Sequence, residues 1–294
     1  MSYRKLPCYA RFFFMGKGRG MREAKFFLQT SPLKLQSLIV IGVLDSGVGG
    51  LSVLRQIHAL IPGQSIHYIG DSAWCPYGTK PFEKIRERVF TLSDHLIAEG
   101  VEAIVIACNS ATIAAVEALR ERYDIPFIGM EPGVKPAVEQ TRSRVIGVLA
   151  TEASLSGEKF RRLVSEHAQD VQVITRPCPK FVTLVEAGIL KGPEVSEAVE
   201  EYTADIIEAG ADVLILGCTH YPFLKEAIIE TIPAGIRLID TGAAVARRVA
   251  GHELRDDAIP EIRLHSTGPL SELERLVPIL CSDLKASCHP FSLS

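Results

Sequence analysis

No run in this sequence approaches the ~18 consecutive apolar residues that a membrane helix needs. The longest candidates, such as Ala103–Ala107 and Val213–Leu216, have the length of buried strands, so no membrane partner is expected. Seven cysteines (Cys8, Cys75, Cys108, Cys178, Cys218, Cys281 and Cys288) include no C-x-x-C pair. An odd number in a chain of 294 residues speaks against a disulfide framework and against the common zinc spacings. Reduced thiols, some of them reactive, are the expectation. No lysine sits in a recognisable cofactor setting, so neither a cofactor nor a metal is called for.

Acidic residues are scarce only at the start. Residues 1–37 hold eight Lys or Arg against a single acid, Glu23, while the rest holds 24 basic and 34 acidic residues, for a net charge of −3. An acidic body does not suit nucleic-acid binding, which rests on phosphate neutralisation. A small anionic substrate would need local cations or backbone N–H donors. Residues 1–37 also lack the apolar core of about 7–15 residues of a secretory signal. Two readings remain: a basic arm without ordered structure, or a chain that starts at Met15 or Met21.

What is present from Leu38 onward is regular βα alternation. Strands are expected at Leu38–Leu44, Ile66–Ile69, Ala103–Ala107 and Pro126–Gly129, and helices over Leu51–Leu60, Phe82–Glu99 and about Thr112–Tyr123. The pattern then recurs. Ile41-Gly42-Val43-Leu44 returns as Ile146-Gly147-Val148-Leu149, and the span from Gly100 to Cys108 returns as Gly210 to Cys218. The expected fold is α/β, with two pseudosymmetric domains, each a mostly parallel sheet flanked by helices. Residues 38–132 plus 241–294 form the first domain and 133–240 the second.

Cys108 and Cys218 each end an apolar strand and precede a polar residue and a helix. Ligands of open α/β sheets bind at the carboxyl ends of strands, and a helix N-terminus there favours a thiolate. One such cysteine is most simply a buried residue; a matched pair points to chemistry. If the halves face each other, two thiols can reach one carbon from opposite sides, one removing a proton and the other delivering one. A free thiol is only a few per cent ionised at neutral pH, so the pair needs helpers. Asp45, at the end of the first strand, and His220, two residues after Cys218, are the candidates; otherwise they are a helix N-cap and a surface imidazole. Asp45-Ser46-Gly47-Val48-Gly49-Gly50 supplies backbone N–H groups suited to a carboxylate. It lacks the third glycine of a dinucleotide fingerprint.

Taken together, Asp45-Ser46-Gly47-Val48-Gly49-Gly50-Leu51, Pro76-Tyr77-Gly78, Ala107-Cys108-Asn109-Ser110-Ala111 and Gly217-Cys218-Thr219-His220-Tyr221-Pro222 resemble the glutamate racemases over about residues 39–280. The resemblance implies a cofactor-independent enzyme of the bacterial cytoplasm that makes D-glutamate for peptidoglycan. It implies that Cys108 and Cys218 are the two acid/base residues, Cys108 acting on D-glutamate and Cys218 on L-glutamate. Asp45 then assists Cys108, His220 assists Cys218, and Glu186 is a further carboxylate near the second thiol. Substrate contacts fall to Asp45, Ser46, Tyr77, Gly78, Asn109, Ser110, Thr219 and His220, with hydroxyls of Thr151 and Ser154 beside them. Glutamate is the implied small-molecule partner, and a homodimer and a cell-wall-precursor activator are left open.

Three departures stand out: Ser110 where the family usually has Thr, Thr183 for a usual Pro, and Trp74-Cys75 before Pro76, which puts a third thiol near the pocket. Aspartate racemases resemble a Gly-Cys-Thr-Glu pattern instead, so His220-Tyr221-Pro222 favours glutamate. A binding role alone, such as gyrase inhibition, does not explain the intact set of reactive positions.

Overall fold

The computed structural model describes residues 40–252 and 259–291. The basic segment 1–37 and the first two residues of the expected strand Leu38–Leu44 lie outside the described residues. Ten strands are described: β1 (Val40–Asp45), β2 (Ser65–Gly70), β3 (Val101–Ile106), β4 (Phe127–Gly129), β5 (Val145–Ala150), β6 (Gln172–Pro177), β7 (Val213–Gly217), β8 (Arg237–Ile239), β9 (Ile262–Ser266) and β10 (Ser287–Pro290). All of their pairings are parallel.

Two sheets form, in the orders β10-β9-β2-β1-β3-β4 and β6-β5-β7-β8. The block β2-β1-β3-β4 and the whole second sheet share one order, each strand replaced by the strand four later. The internal repeat is therefore a repeat of topology. β1 (VIGVLD) and β5 (VIGVLA) are the central strands of these blocks and differ only at the last residue, Asp45 against Ala150. Near-continuous apolar runs suit strands covered on both faces: every residue of β7 is buried, and all of β1 after Val40.

β9 and β10 extend the first sheet beyond the repeat. In β9, buried residues alternate with half-buried ones. β10 is an edge strand and ends at Pro290, a residue tolerated at sheet edges because it offers no N–H to a further partner.

The helix after β3 spans Asn109–Arg122, three residues earlier than expected, because Cys108 caps it by accepting the Ala111 N–H at 3.5 Å. The helix Gly242–Ala250 follows the second sheet in the chain yet packs against Leu51–Leu60 of the first half. Phe181 joins neighbouring elements of the core, meeting Tyr202 and Tyr221 edge-on with ring centroids 5.2 Å apart in both pairs. Among the described residues no helix is long and apolar enough to cross a membrane.

Candidate active site

The carboxyl ends of the strands supply nearly every polar group singled out from the sequence. β1 ends in Asp45, β3 leads into Cys108, β5 into Thr151 and β7 into Cys218. The turn after Asp45 binds these ends together. Asp45 Oδ1 accepts the Gly47 N–H at 2.9 Å, and its Oδ2 accepts the Thr219 hydroxyl at 3.1 Å. Asp45 is thus an anchor of the turn rather than a helix cap; Gly50 is the N-cap of the following helix and its cap has no side-chain bond. Burial raises the Asp45 carboxyl above its ordinary value, against the neighbouring His220 and the hydrogen bonds that lower it.

The turn's backbone donors do bind a carboxylate, but it is the protein's own. Val48 N–H donates to Glu186 Oε1 at 2.9 Å. Glu186 reaches the turn from the helix Pro179–Ala187, and a side chain at the turn would block it: a Cβ on Gly47 would lie 2.0 Å from Glu186 Oε1. A Cβ on Gly49 would lie 2.3 Å from His220 Nδ1. The two glycines are there for close approach.

Around Cys218 the polar groups form a chain. Its sulfur lies 3.7 Å from His220 Nδ1, and His220 Nε2 lies 2.7 Å from Glu186 Oε1. His220 is buried, not a surface imidazole. Burial alone would lower its pKa, but hydrogen bonds to Cys218, Cys75 and Glu186 overrule this and hold it well above the ordinary histidine value. Glu186 is held low; its burial acts the other way and is outweighed by the hydrogen bond and charge of His220. The two directions agree on an imidazolium–carboxylate pair in which His220 is buried and Glu186 part-buried.

Cys108 has different surroundings. Its thiol donates to Ser46 Oγ at 3.6 Å. Burial and the nearby Asp45 carboxylate push it up to about 12, against its hydrogen bonds with the Ala111 N–H and the Ser46 hydroxyl. Asp45 therefore acts on Cys108 through its charge, while its hydrogen bonds go to Gly47 and Thr219.

The remaining sequence candidates are close by. Ser110 Oγ lies 3.0 Å from Thr151 Oγ1, which receives the Ser154 backbone N–H at 3.2 Å and lies 2.8 Å from Ser154 Oγ. Gly78 packs on Thr151, where a Cβ would fall 2.7 Å from the threonine Cβ. Asn109 is buried at the start of its helix. Cys75, the third thiol, donates to Glu186 Oε1 at 3.4 Å.

The match to known proteins spans this whole arrangement. Residues 41–249 match the family model described as Asp/Glu/Hydantoin racemase. A glutamate racemase of Ectopseudomonas mendocina is 48% identical over 262 residues, covering 87% of this chain and 99% of the relative. The chain belongs to the Asp/Glu/Hydantoin racemase family. Two solved structures similar to this racemase-family chain are glutamate racemases. That of Escherichia coli, in complex with L-glutamate and the activator UDP-MurNAc-ala, has a TM-score of 0.79 at 30% identity, covering 87% of this chain and 99% of the other. That of Francisella tularensis, in complex with D-glutamate, has a TM-score of 0.76 at 29% identity, covering 87% and 98%. The resemblance read from the motifs is borne out at the level of family and fold.

Sequence reasoning about this racemase-family site missed the clamp beneath Tyr77. The Tyr77 hydroxyl donates to Asp71 Oδ2 at 2.6 Å, and Arg88 grips the same carboxylate with two bonds of 2.8 and 2.7 Å. The Thr267 hydroxyl adds a further bond to Asp71 Oδ1 at 2.7 Å. Asp71 follows β2 as Asp45 closes β1, so its place at a strand end was the available signal. Burial, then the neighbouring Asp71 charge and hydrogen bond, hold the Tyr77 phenol far above its ordinary value, so it stays a neutral donor.

Proposed function

We propose that this chain is a glutamate racemase that inverts the α-carbon with two cysteines and no cofactor. The observation that carries the reading is the placement of Cys108 and Cys218 after β3 and β7, the matching strands of the two topological repeats. Each thiol has its own polar support, Ser46 for one and His220 with Glu186 for the other.

In this reading L-glutamate lies between the thiols. Cys218, as thiolate, takes the α-proton, and the electron pair stays on the α-carbon, delocalised into the α-carboxylate. Cys108 then delivers its own proton to the opposite face, leaving Cys108 as thiolate and Cys218 as thiol. The reverse sequence converts D- to L-glutamate. The high pKa of Cys108 supports its resting as the thiol, ready to donate. The His220 imidazolium can donate an N–H to the Cys218 sulfur when it carries charge. Asp45 is suited to the substrate ammonium, and the hydroxyls of Ser46, Ser110 and Thr219, the Asn109 amide and the Tyr77-Gly78 segment to its carboxylates.

Residues 38–132 plus 241–294 and residues 133–240 are the two halves that hold the substrate between them, a division supported by the two sheets. The product's role is D-glutamate supply for peptidoglycan in the bacterial cytoplasm. A compound like the activator of the Escherichia coli relative is a candidate effector here.

The test is racemisation of L-glutamate by chelator-treated protein with nothing added, followed by polarimetry, with incorporation of solvent deuterium at the α-carbon. Racemisation without deuterium uptake would exclude proton transfer through exchangeable thiols. Activity restored only by pyridoxal phosphate or a metal would defeat the two-thiol mechanism.

A further inference from the structure

Beside Cys218, but on the far edge of the His220 ring, three metal-binding side chains converge. The Cys75 sulfur, a Glu186 carboxylate oxygen and a His220 ring nitrogen all lie within 4.8 Å of one another. Cys75 to Glu186 is 3.4 Å and His220 to Glu186 is 2.7 Å. Donors held 2.0–2.3 Å from a tetrahedral zinc stand roughly 3.3–3.8 Å apart. The Cys75–Glu186 spacing already fits, and the His220–Glu186 pair needs to open by about 0.6 Å to reach the same range.

The donors come from three separate elements: the loop after β2, the helix Pro179–Ala187 and the segment after β7. The wall in front of them is backbone only, since a Cβ on Gly47 would lie 2.0 Å from Glu186 Oε1 and 3.0 Å from Cys75 Sγ. Thiolate, imidazole and carboxylate together suit a borderline-soft divalent ion and not magnesium or calcium, which take oxygen ligands.

We propose that Cys75, Glu186 and His220 form a site for a thiophilic divalent cation such as zinc, and that the bound cation slows the reaction. The inhibitory part rests on the racemase reading; the binding part does not. On binding, the Cys75 thiol proton and the His220 Nε2 proton leave to solvent, and three bonds form from sulfur, oxygen and nitrogen to the metal, with a fourth position open to water. The imidazolium–carboxylate pair beside Cys218 is thereby replaced by a ring and a carboxylate tied to the metal.

The full reduced chain, treated with chelator, is titrated with zinc in a metal-buffered solution by calorimetry, and racemisation is measured at the same free zinc. Wild type should take up one equivalent and lose activity with the same midpoint. Cys75→Ser should bind zinc at least about tenfold more weakly, since even outer-shell losses at metal sites cost 10–100-fold, and whatever activity it keeps should need correspondingly more zinc to be inhibited. Undiminished binding in Cys75→Ser would place the ion elsewhere, for example on Cys108 and Cys218, and overturn the site. One equivalent bound with an unchanged rate would overturn the inhibition.

A second measurement needs no variant. Alkylation of Cys75 in wild type, mapped by mass spectrometry, should be slowed by zinc and not by magnesium; equal labelling with and without zinc would also overturn the site. Both readouts of binding stand apart from turnover, so an inactive protein that binds zinc through Cys75 would sink the racemase reading alone.

Discussion

His220 bridges two groups: its Nε2 lies 2.7 Å from Glu186 Oε1 while its Nδ1 faces the Cys218 sulfur at 3.7 Å. Its raised pKa depends on that carboxylate as well as on the two thiols it touches. In Glu186→Gln the imidazolium loses its counter-charge and its pKa falls. Protonated His220 should then be lost at lower pH as the solution is made more alkaline. The expected result is an alkaline limb of kcat/KM that moves to lower pH, with kcat reduced roughly ten- to a hundredfold, the equivalent of one charged hydrogen bond of ~1.5–3 kcal/mol. An unmoved alkaline limb would show that His220 does not titrate with the reaction.

The assignment of one helper to each thiol is open to an isotope test. Enantiomers in water have equal free energy, so kcat/KM must stay equal in both directions for any variant. Asp45→Asn and His220→Asn are each expected to cost ~10²–10⁴-fold. With α-deuterated substrate, Asp45→Asn should raise the isotope effect on kcat/KM more from D-glutamate, and His220→Asn more from L-glutamate. Because Asp45 also holds Thr219 beside Cys218, identical effects in both directions would mean that it serves both thiols.

Arg88 and Asp71 form the buried pair under Tyr77, with side-chain exposures of 15% and 0%. Arg88→Met leaves the Asp71 carboxylate without its main partner and should destabilise the protein by about 3–5 kcal/mol. It should also raise KM, because the Tyr77-Gly78 segment is no longer held. Adding Asp71→Asn should recover part of the loss, a coupling measurable by denaturant unfolding. A loss below about 1 kcal/mol in the single variant would contradict the clamp.

His67 and His265 face each other at 2.9 Å between Nε2 and Nδ1. Burial, with the positive charges of His265, Arg263 and neighbouring histidines, lowers His67 to about 3, and burial with His289 and Arg263 lowers His265 to about 4. The unfolded chain, with histidines near 6.5, binds these protons first as pH falls. The stabilisation is therefore complete above about pH 6.5 and is lost through the window from there towards 4 and then 3. Tm should drop between pH 7 and pH 5, and His67→Gln should flatten that drop; an equally steep curve in the variant would rule the pair out as its cause.

A chain beginning at Gln36 should remain folded and racemise glutamate. Residues 1–37 carry no periodic apolar face, and the first described strand begins at Val40. Aggregation of the shortened chain, seen by size-exclusion chromatography, would mean that the segment contributes to the core.

Order along the chain was legible from local pattern. Apolar runs of strand length, the amphipathic stretch Phe82–Glu99 and the repeat of Ile41–Leu44 at Ile146–Leu149 are periodicities of neighbouring residues, and they specify the α/β alternation and the two equivalent strand ends that carry Cys108 and Cys218. β9 and β10 have no such run, because IRLHS and SCHP gain their place only by pairing with strands already formed. The same limit kept the partners of the site out of reach of local pattern, and Glu186 entered only through the family resemblance. Glu186 lies 34 residues from His220, 111 from Cys75 and 138 from Val48, and Thr267 lies 196 from Asp71. No spacing rule links residues so far apart; only the packing of helices and turns over the two sheets brings them within hydrogen-bond reach. That packing turned a glycine turn suited to a substrate carboxylate into a seat for Glu186, because burying the His220 imidazolium demands a counter-charge and the turn supplies the N–H that holds it.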